Sequence, residues 1–320
     1  MAISNFPPTS SEYPRSDAEV NGWIRSTIPY KANANRLQTV DIWLPPISGT
    51  RNLSEPWVIY IHGGAWRDPR VSSHSFSATV SHLVDGHDAA TSNFTCIASI
   101  NYSLSPHPNH PTNPSPPKDL GKEIVDKSRV ATHPDHIFDV LTALAFLQEK
   151  YHFGSNYVLV GHSCGATLAL QVAMDHKRWI DDAWGLKVAK PKSIIGLNGL
   201  YDMPKLITSP GTNHENLVPV YTAFMKLAFG ANEKVWYDIC PSSVDNWAEE
   251  WEEGREIILA QSLEDELVPY FQTKDMLKRL NASKNGSLVV REVPAAGDHN
   301  FLWEDGKTLA QIILEAVKAL

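Results

Sequence analysis

Gly161-His162-Ser163-Cys164-Gly165 sets two potential nucleophiles side by side between glycines. An apolar, β-type run, Tyr157–Val160, precedes them. Ala166, Leu168, Ala169, Leu170, Val172 and Ala173 follow as good helix, with Thr167 and Gln171 as polar breaks. A strand driving straight into a helix leaves a turn so tight that side chains beside the nucleophile must be small or absent, which accounts for Gly161 and Gly165. The pattern fits a G-x-S-x-G nucleophile elbow, which exposes its apex hydroxyl at the C-terminal edge of a sheet. The apex position is Ser163. Cys164 falls on the first helical residue, so its backbone N–H points at the reacting oxygen while its thiol lies to one side as a small buried group. A catalytic cysteine needs surroundings that lower its pKa, and the sequence shows none specific to Cys164.

A serine nucleophile needs a base, an acid to orient that base, and donors for the oxyanion. "YIHGGAWRDP" ends a strand in glycines that let the backbone approach a ligand closely. The N–H groups of Gly64 and Ala65, with that of Cys164, then make a three-donor oxyanion hole. The chain order that goes with such an elbow places the acid next and the histidine last. "EIILAQSLEDELVPYFQ" is an apolar strand running into acidic residues, and Asp265 sits just past the strand, with Glu264 and Glu266 as close rivals. "AAGDHNFLW" places His299 in a loop before the final helix, a position no other of the thirteen histidines shares. His62 and His162 are better explained as loop-shaping neighbours, and Asp298 as a neighbour of the base rather than its partner.

The elements that must position these groups alternate along the chain. Strand candidates are Trp57–Ile61, Cys96–Tyr102, Tyr157–Val160, Ser193–Leu197, Glu256–Ala260 and Leu288–Val293, with an antiparallel pair around Ser26–Tyr30 and Thr39–Leu44. Helical stripes lie between them. Ile137, Val140, Leu141, Leu144 and Leu147 follow Pro134, which suits a first-turn position. Leu309, Ile312, Ile313, Ala316, Val317 and Leu320 form the last stripe. This alternation predicts an α/β fold with a mostly parallel central sheet flanked by helices. The proline-rich residues 105–117 read as a long loop, and residues 203–255 as an insertion able to cap the strand ends. No repeat or linker divides the chain, so 1–320 reads as one domain.

At this point the sequence resembles the α/β-hydrolase superfamily over nearly its whole length, and more narrowly its kynurenine formamidase (arylformamidase) branch, especially the fungal members. The residues that carry the resemblance are "IHGGAWRDP", "NYSL" at 101–104, "HPDHIFDV" at 133–140, "VGHSCGATLA" at 160–169, "LNGLYD" at 197–202, "SLEDELVP" at 262–269 and "GDHNF" at 297–301. The resemblance implies hydrolysis of N-formyl-L-kynurenine to kynurenine and formate, in tryptophan breakdown, by a triad of Ser163, Asp265 and His299 without a cofactor. It also offers three substrate contacts. Trp66 would stack on an aryl ring, with loop packing as an equal explanation, and Tyr201 and Asp202 would meet a polar end, Asp202 as partner to an α-ammonium. Hormone-sensitive-lipase-like esterases usually carry a third glycine where Ala65 stands.

Composition narrows the partners to a small-molecule substrate. A chain of 320 residues with 42% hydrophobic and 20% charged content has the make-up of a soluble globular protein. A net charge of −8 argues against nucleic acid and anionic membrane surfaces. There is no apolar run of membrane-spanning length, and the opening "MAISNFPPTSSEYPRSDAEV" lacks the basic start and apolar core of a secretory signal. Three widely spaced cysteines suggest a reducing compartment, so a cytoplasmic location is expected. His107 and His110 could bind a metal, but nothing nearby completes a ligand set, and no metal is expected. The oligomeric state, a homodimer included, stays open. Three other functions compete: a carboxylesterase on a small ester, a non-catalytic binding module, and cysteine chemistry through Cys164.

Overall fold

The β-prone runs assemble into one sheet. The computed structural model describes residues 18–45, 54–85, 93–116, 125–180, 185–283 and 286–320. Its strands are β1 (Ala18–Val20), β2 (Trp23–Pro29), β3 (Thr39–Leu44), β4 (Trp57–Ile61), β5 (Ile97–Ile100), β6 (Tyr157–His162), β7 (Ser193–Leu197), β8 (Glu256–Ser262) and β9 (Val289–Ala295). They lie in the order β1-β2-β3-β5-β4-β6-β7-β8-β9. The first three strands pair antiparallel, as does β3 with β5, and all later neighbours pair parallel. The expected α/β architecture is therefore present. The three-residue β1 was too short to announce itself in the sequence. The fifth strand is shorter than the run Cys96–Tyr102 expected for it; just past its end the Asn101 N–H still donates to Thr39 O at 2.9 Å, and the Asn101 side chain accepts the backbone N–H of Ser73 at 2.7 Å.

The helices are α1 (Ser77–Val84), α2 (Asp135–Tyr151), α3 (Cys164–Ala173), α4 (Met203–Thr208), α5 (Val218–Phe229), α6 (Glu233–Asp238), α7 (Trp247–Glu250), α8 (Phe271–Ser283), α9 (Phe301–Asp305) and α10 (Lys307–Lys318). Pro134 caps α2 instead of occupying its first turn. Side-chain alternation along the strands explains why helices cover both faces. Val58 and Tyr60 of β4 join α1, α9 and α10 in one apolar cluster, while Ile59 and Ile61 join α2, α3, α5 and α8 in the other. β4, β6, β7 and β8 are buried on both faces.

Register aligns the ends that matter. Ile61 pairs with Gly161, Gly161 with Gly196, and Leu197 with Ala260, so the segments after β4, β6, β7 and β8 emerge together at one edge. Ligands in open α/β sheets bind at such carboxyl ends. Among the described residues no helix is long and apolar enough to cross a membrane. The N-terminal stretch read against a secretory signal lies almost wholly outside the described residues, as does Pro117 at the end of the proline-rich loop.

Candidate active site

The elbow is built as the spacing requires. Ser163 has φ 55° and ψ −121°, a conformation that costs a non-glycine residue about 1–3 kcal/mol unless its surroundings impose it. They do so from both sides. A Cβ on Gly161 would lie 2.2 Å from the Gly165 carbonyl oxygen, and one on Gly165 would lie 2.2 Å from that of Ile61. The Ser163 N–H donates to Leu197 O at 2.8 Å, tying the turn to β7. Ser163 faces a cavity. Cys164 does not: its side chain is buried, and Trp66 N–H donates to its sulfur at 3.3 Å while Tyr102 Oη lies 3.5 Å away. Burial pushes the thiol up to about 11, so it stays protonated at neutral pH, the reverse of an activated cysteine.

Three acids competed for the histidine, and the structure separates them. Both carboxylate oxygens of Asp265 lie at 3.0 and 2.9 Å from His299 Nδ1, in surroundings that leave the two side chains 1% and 6% exposed. Glu266 instead accepts the backbone N–H of His299 at 2.9 Å, and Glu264 that of Gly297 at 2.8 Å. The rivals therefore hold the loop, and Asp265 holds the ring. Asp265 is itself fixed by the N–H groups of Leu267 and Val268, which donate to Oδ1 at 2.9 and 2.8 Å. Asp298 caps the turn into α9 by accepting from Asn300 and Phe301.

Two more residues brace His299 from behind. His162 Nε2 and Asn198 Nδ2 both donate to the His299 carbonyl, at 2.9 and 2.8 Å. Burial holds the His162 imidazole well below its usual pKa, so it remains a neutral donor whose ring lies 4.7 Å from that of His299. Asn198 was not singled out from the sequence beyond its place in "LNGLYD". Its signal is positional: it directly follows β7, has φ 44°, and also accepts Ser262 N–H at 3.2 Å. It thus stitches β7, β8 and the His299 loop together.

The glycine segment after β4 curls beside the elbow. Gly64, Ala65 and Trp66 all have positive φ, and the N–H groups of Arg67 and Asp68 bond back to Gly64 O at 3.0 and 2.9 Å. Residues that carried the family resemblance support this loop from below. Tyr102 Oη donates to His62 O at 3.0 Å, Ser105 N–H donates to Trp66 O at 2.7 Å, and Ser105 Oγ meets His136 Nε2 at 2.8 Å. His62 stacks on Tyr102 with ring centroids 4.4 Å apart, and burial lowers its pKa to about 4.

Ser163, His299, Gly64 and Ala65 line one cavity of about 260 Å³. Its outer wall is Leu217, Val220, Tyr221 and Phe224 from the 203–255 segment, and His107 from the proline-rich loop also reaches it. The three expected substrate contacts do not. Trp66 is 1% exposed, packed edge-on against Phe229 at 4.9 Å and tilted against Phe224 at 5.8 Å, so loop packing is its role. Tyr201 is fully buried beneath Gly196 and Gly199, where any added Cβ would meet its ring or hydroxyl. Asp202 caps α4 by accepting Lys205 N–H at 3.1 Å, and its own N–H donates to Gln272. Among the described residues, no group of three or more His, Cys, Asp or Glu side chains is arranged to hold a metal.

A kynurenine formamidase-like hydrolase of Fusarium equiseti is 34% identical over 92% of this chain and 95% of its own length. The chain belongs to the kynurenine formamidase family. The kynurenine formamidase of Aspergillus versicolor is 29% identical over 92% of the chain and 97% of its own. Among solved structures, a truncated carbohydrate esterase from gut microbiota superposes with a TM-score of 0.63 at 16% identity, covering 94% of this chain and 99% of that one. This last likeness speaks for the α/β-hydrolase fold alone. No protein-family model matches the chain. As a member of the kynurenine formamidase family on an esterase-type fold, the protein is a hydrolase.

Proposed function

We propose that the protein cleaves the formamide of N-formyl-L-kynurenine, with Ser163 as nucleophile, His299 as general base and then acid, and Asp265 as the group that orients it. The observation that carries the reading is the convergence of Ser163, His299 and Gly64 on one cavity, with Asp265 on the far nitrogen of the imidazole. A carboxylate on Nδ1 keeps the proton there and leaves Nε2 to take the serine proton as the hydroxyl attacks the formyl carbon. The same carboxylate stabilises the imidazolium that forms. The tetrahedral oxyanion is held by the N–H groups of Gly64, Ala65 and Cys164. Each good donor contributes about 3 kcal/mol. His299 returns the proton to the aryl amine, kynurenine leaves, and water releases formate from Ser163. His162, neutral and hydrogen-bonded to the base's carbonyl, adds no charge to oppose the imidazolium.

The substrate follows the names of the relatives and agrees with the walls of the cavity: Tyr221, Phe224, Val220 and Leu217 offer an apolar face for an aryl ring. Residues 203–255 serve as the cap of a single domain, and the three buried free cysteines agree with a reducing, cytoplasmic setting.

A paired assay tests this. Wild type and Ser163→Ala are compared on N-formyl-L-kynurenine, followed through kynurenine absorbance, with p-nitrophenyl acetate alongside. The expected outcome is kynurenine release that exceeds acetate release in kcat/KM and falls on the order of 10⁵-fold or more in the variant. Brisk, Ser163-dependent ester cleavage beside absent formamide cleavage would assign the protein to the carboxylesterases instead.

A further inference from the structure

The cavity holds a cation, Arg67, that has no ion-pair partner of its own among the described residues; the nearest opposing charge is Asp68 next to it in the chain. Arg67, Asp68 and Arg70 line it together. Asp68 is committed to Arg70, with Nε to Oδ1 at 3.0 Å, Nη2 to Oδ2 at 2.7 Å, and the Arg70 backbone N–H to Oδ1 at 3.0 Å. His110 Nε2 lies a further 3.6 Å from the same carboxylate. Among the described residues, no carboxylate comes within ion-pair distance of the Arg67 guanidinium, although the side chain is half-buried. Its charge sits 5.8 Å over the Phe224 ring of α5, which fixes its direction without satisfying its donors. The other titratable group on this side of the cavity, His107, has its pKa lowered to about 4, first by burial and then by Arg67, and is neutral. The Asp68–Arg70 pair cancels, so one positive charge remains on this wall.

A half-buried guanidinium kept free of internal carboxylates is poor for stability and well suited to an anionic ligand, because its fork of donors matches a carboxylate. Its place relative to the chemistry is set by the backbone. The Arg67 N–H bonds to Gly64 O at 3.0 Å, so the stem leaves the chain one turn beyond the oxyanion loop and points into the cavity that Ser163 shares.

We propose that Arg67 is the specificity residue of this site and pairs with the α-carboxylate of an amino-acid substrate. The inference rests on the formamidase reading for the identity of that substrate and not for the existence of the anion site. Phe224, which also packs on Trp66, then presents its ring to both the guanidinium and the aryl part of the ligand. Aryl formamides and esters without an anionic end use the same serine and forgo this contact.

Calorimetric binding tests it without requiring turnover. L-Kynurenine is compared with kynuramine, which lacks only the carboxylate, on wild type, Arg67→Met and Arg67→Lys. Wild type should bind kynurenine on the order of 10- to 100-fold more tightly than kynuramine, as expected for a charge-assisted contact. In Arg67→Met that ratio should collapse to about 1, and Arg67→Lys should keep part of it. A ratio inside each variant is insensitive to general weakening of the site, and the lysine variant covers a methionine variant that fails to fold. A ratio unchanged in Arg67→Met, no preference in wild type, or no kynurenine binding at millimolar concentration overturns the proposal. A retained carboxylate preference in a protein that does not cleave N-formyl-L-kynurenine overturns the formamidase reading while leaving Arg67 its role.

Discussion

The floor and the roof of the cavity are made in different ways. The floor consists of strand ends: the elbow after β6, the glycine loop after β4, and the Asp265 and His299 loops after β8 and β9. Each is a short segment whose conformation is dictated within a few residues, by Gly161 and Gly165, where any Cβ would meet a backbone oxygen at 2.2 Å, or by two backbone donors on Asp265. The roof, Leu217, Val220, Tyr221 and Phe224, belongs to helices whose position depends on distant partners. His133 N–H meets Ala228 O at 2.7 Å, and Tyr221 Oη donates to Leu267 O at 2.8 Å. Chemistry on the floor is thus locally encoded, and selectivity in the roof is a product of tertiary packing.

If that division holds, substitutions on the floor should act on kcat and those in the roof on KM. After Ser163→Ala itself, the largest effect should come from Asp265→Asn, which keeps the shape but loses the tautomer control; we expect kcat to fall on the order of 10³- to 10⁴-fold. Glu264→Gln and Glu266→Gln, which touch only backbone N–H groups, should each cost less than about 10-fold. Equal losses in all three, measured by steady-state kinetics, would mean that the loop matters and the ring contact does not.

Acid should act next, on the buried histidines around the site. Burial depresses His62 and His133 to about 4 and His136 to about 3. A histidine depressed in the folded state takes up a proton on unfolding, so its stabilising contribution is complete above about pH 6.5 and is lost as pH falls toward those values. Unfolding free energy should decline by about 1.4 kcal/mol per pH unit for each such histidine. Urea titrations from pH 7.5 to 5 should show this slope, and His136→Gln should reduce it. A flat profile would contradict histidines that are buried and neutral.

Roof substitutions should be milder. Phe224→Ala removes one face of the aryl wall and should raise KM about 10-fold, with kcat changed less than about threefold, since deleting a buried aromatic contact is felt in binding first. Tyr201→Phe should give the smallest change, under about twofold in KM, because the hydroxyl is buried without a hydrogen-bond partner among the described residues and away from the cavity. A large KM effect there would restore Tyr201 to the substrate.

The same division explains what the sequence made legible. Ser163, Asp265 and His299 stand out because each follows an apolar strand run at a turn, and their meeting requires only the register of a parallel sheet. The choice among Glu264, Asp265 and Glu266 needed coordinates, since three consecutive acids differ only in direction. Trp66, Tyr201 and Asp202 lie close in sequence to strand ends, yet the chain turns their side chains into the core or into a helix cap. Arg67 was in plain view within "HGGAWRDP", and what marks it, a place on the cavity wall with no carboxylate at ion-pair distance among the described residues, is spatial. Asn198 likewise shows its three-way stitching only once β7, β8 and the His299 loop are assembled.

The central claim, that the apex serine and not its cysteine neighbour attacks, is tested most directly by covalent labelling. The protein is treated with a fluorophosphonate, and the adduct is mapped by peptide mass spectrometry in wild type and in His299→Ala. The account predicts one phosphonyl group on Ser163, none on Cys164, and labelling slowed by orders of magnitude without the imidazole. An adduct on Cys164, or rapid Ser163 labelling that ignores His299, would contradict it.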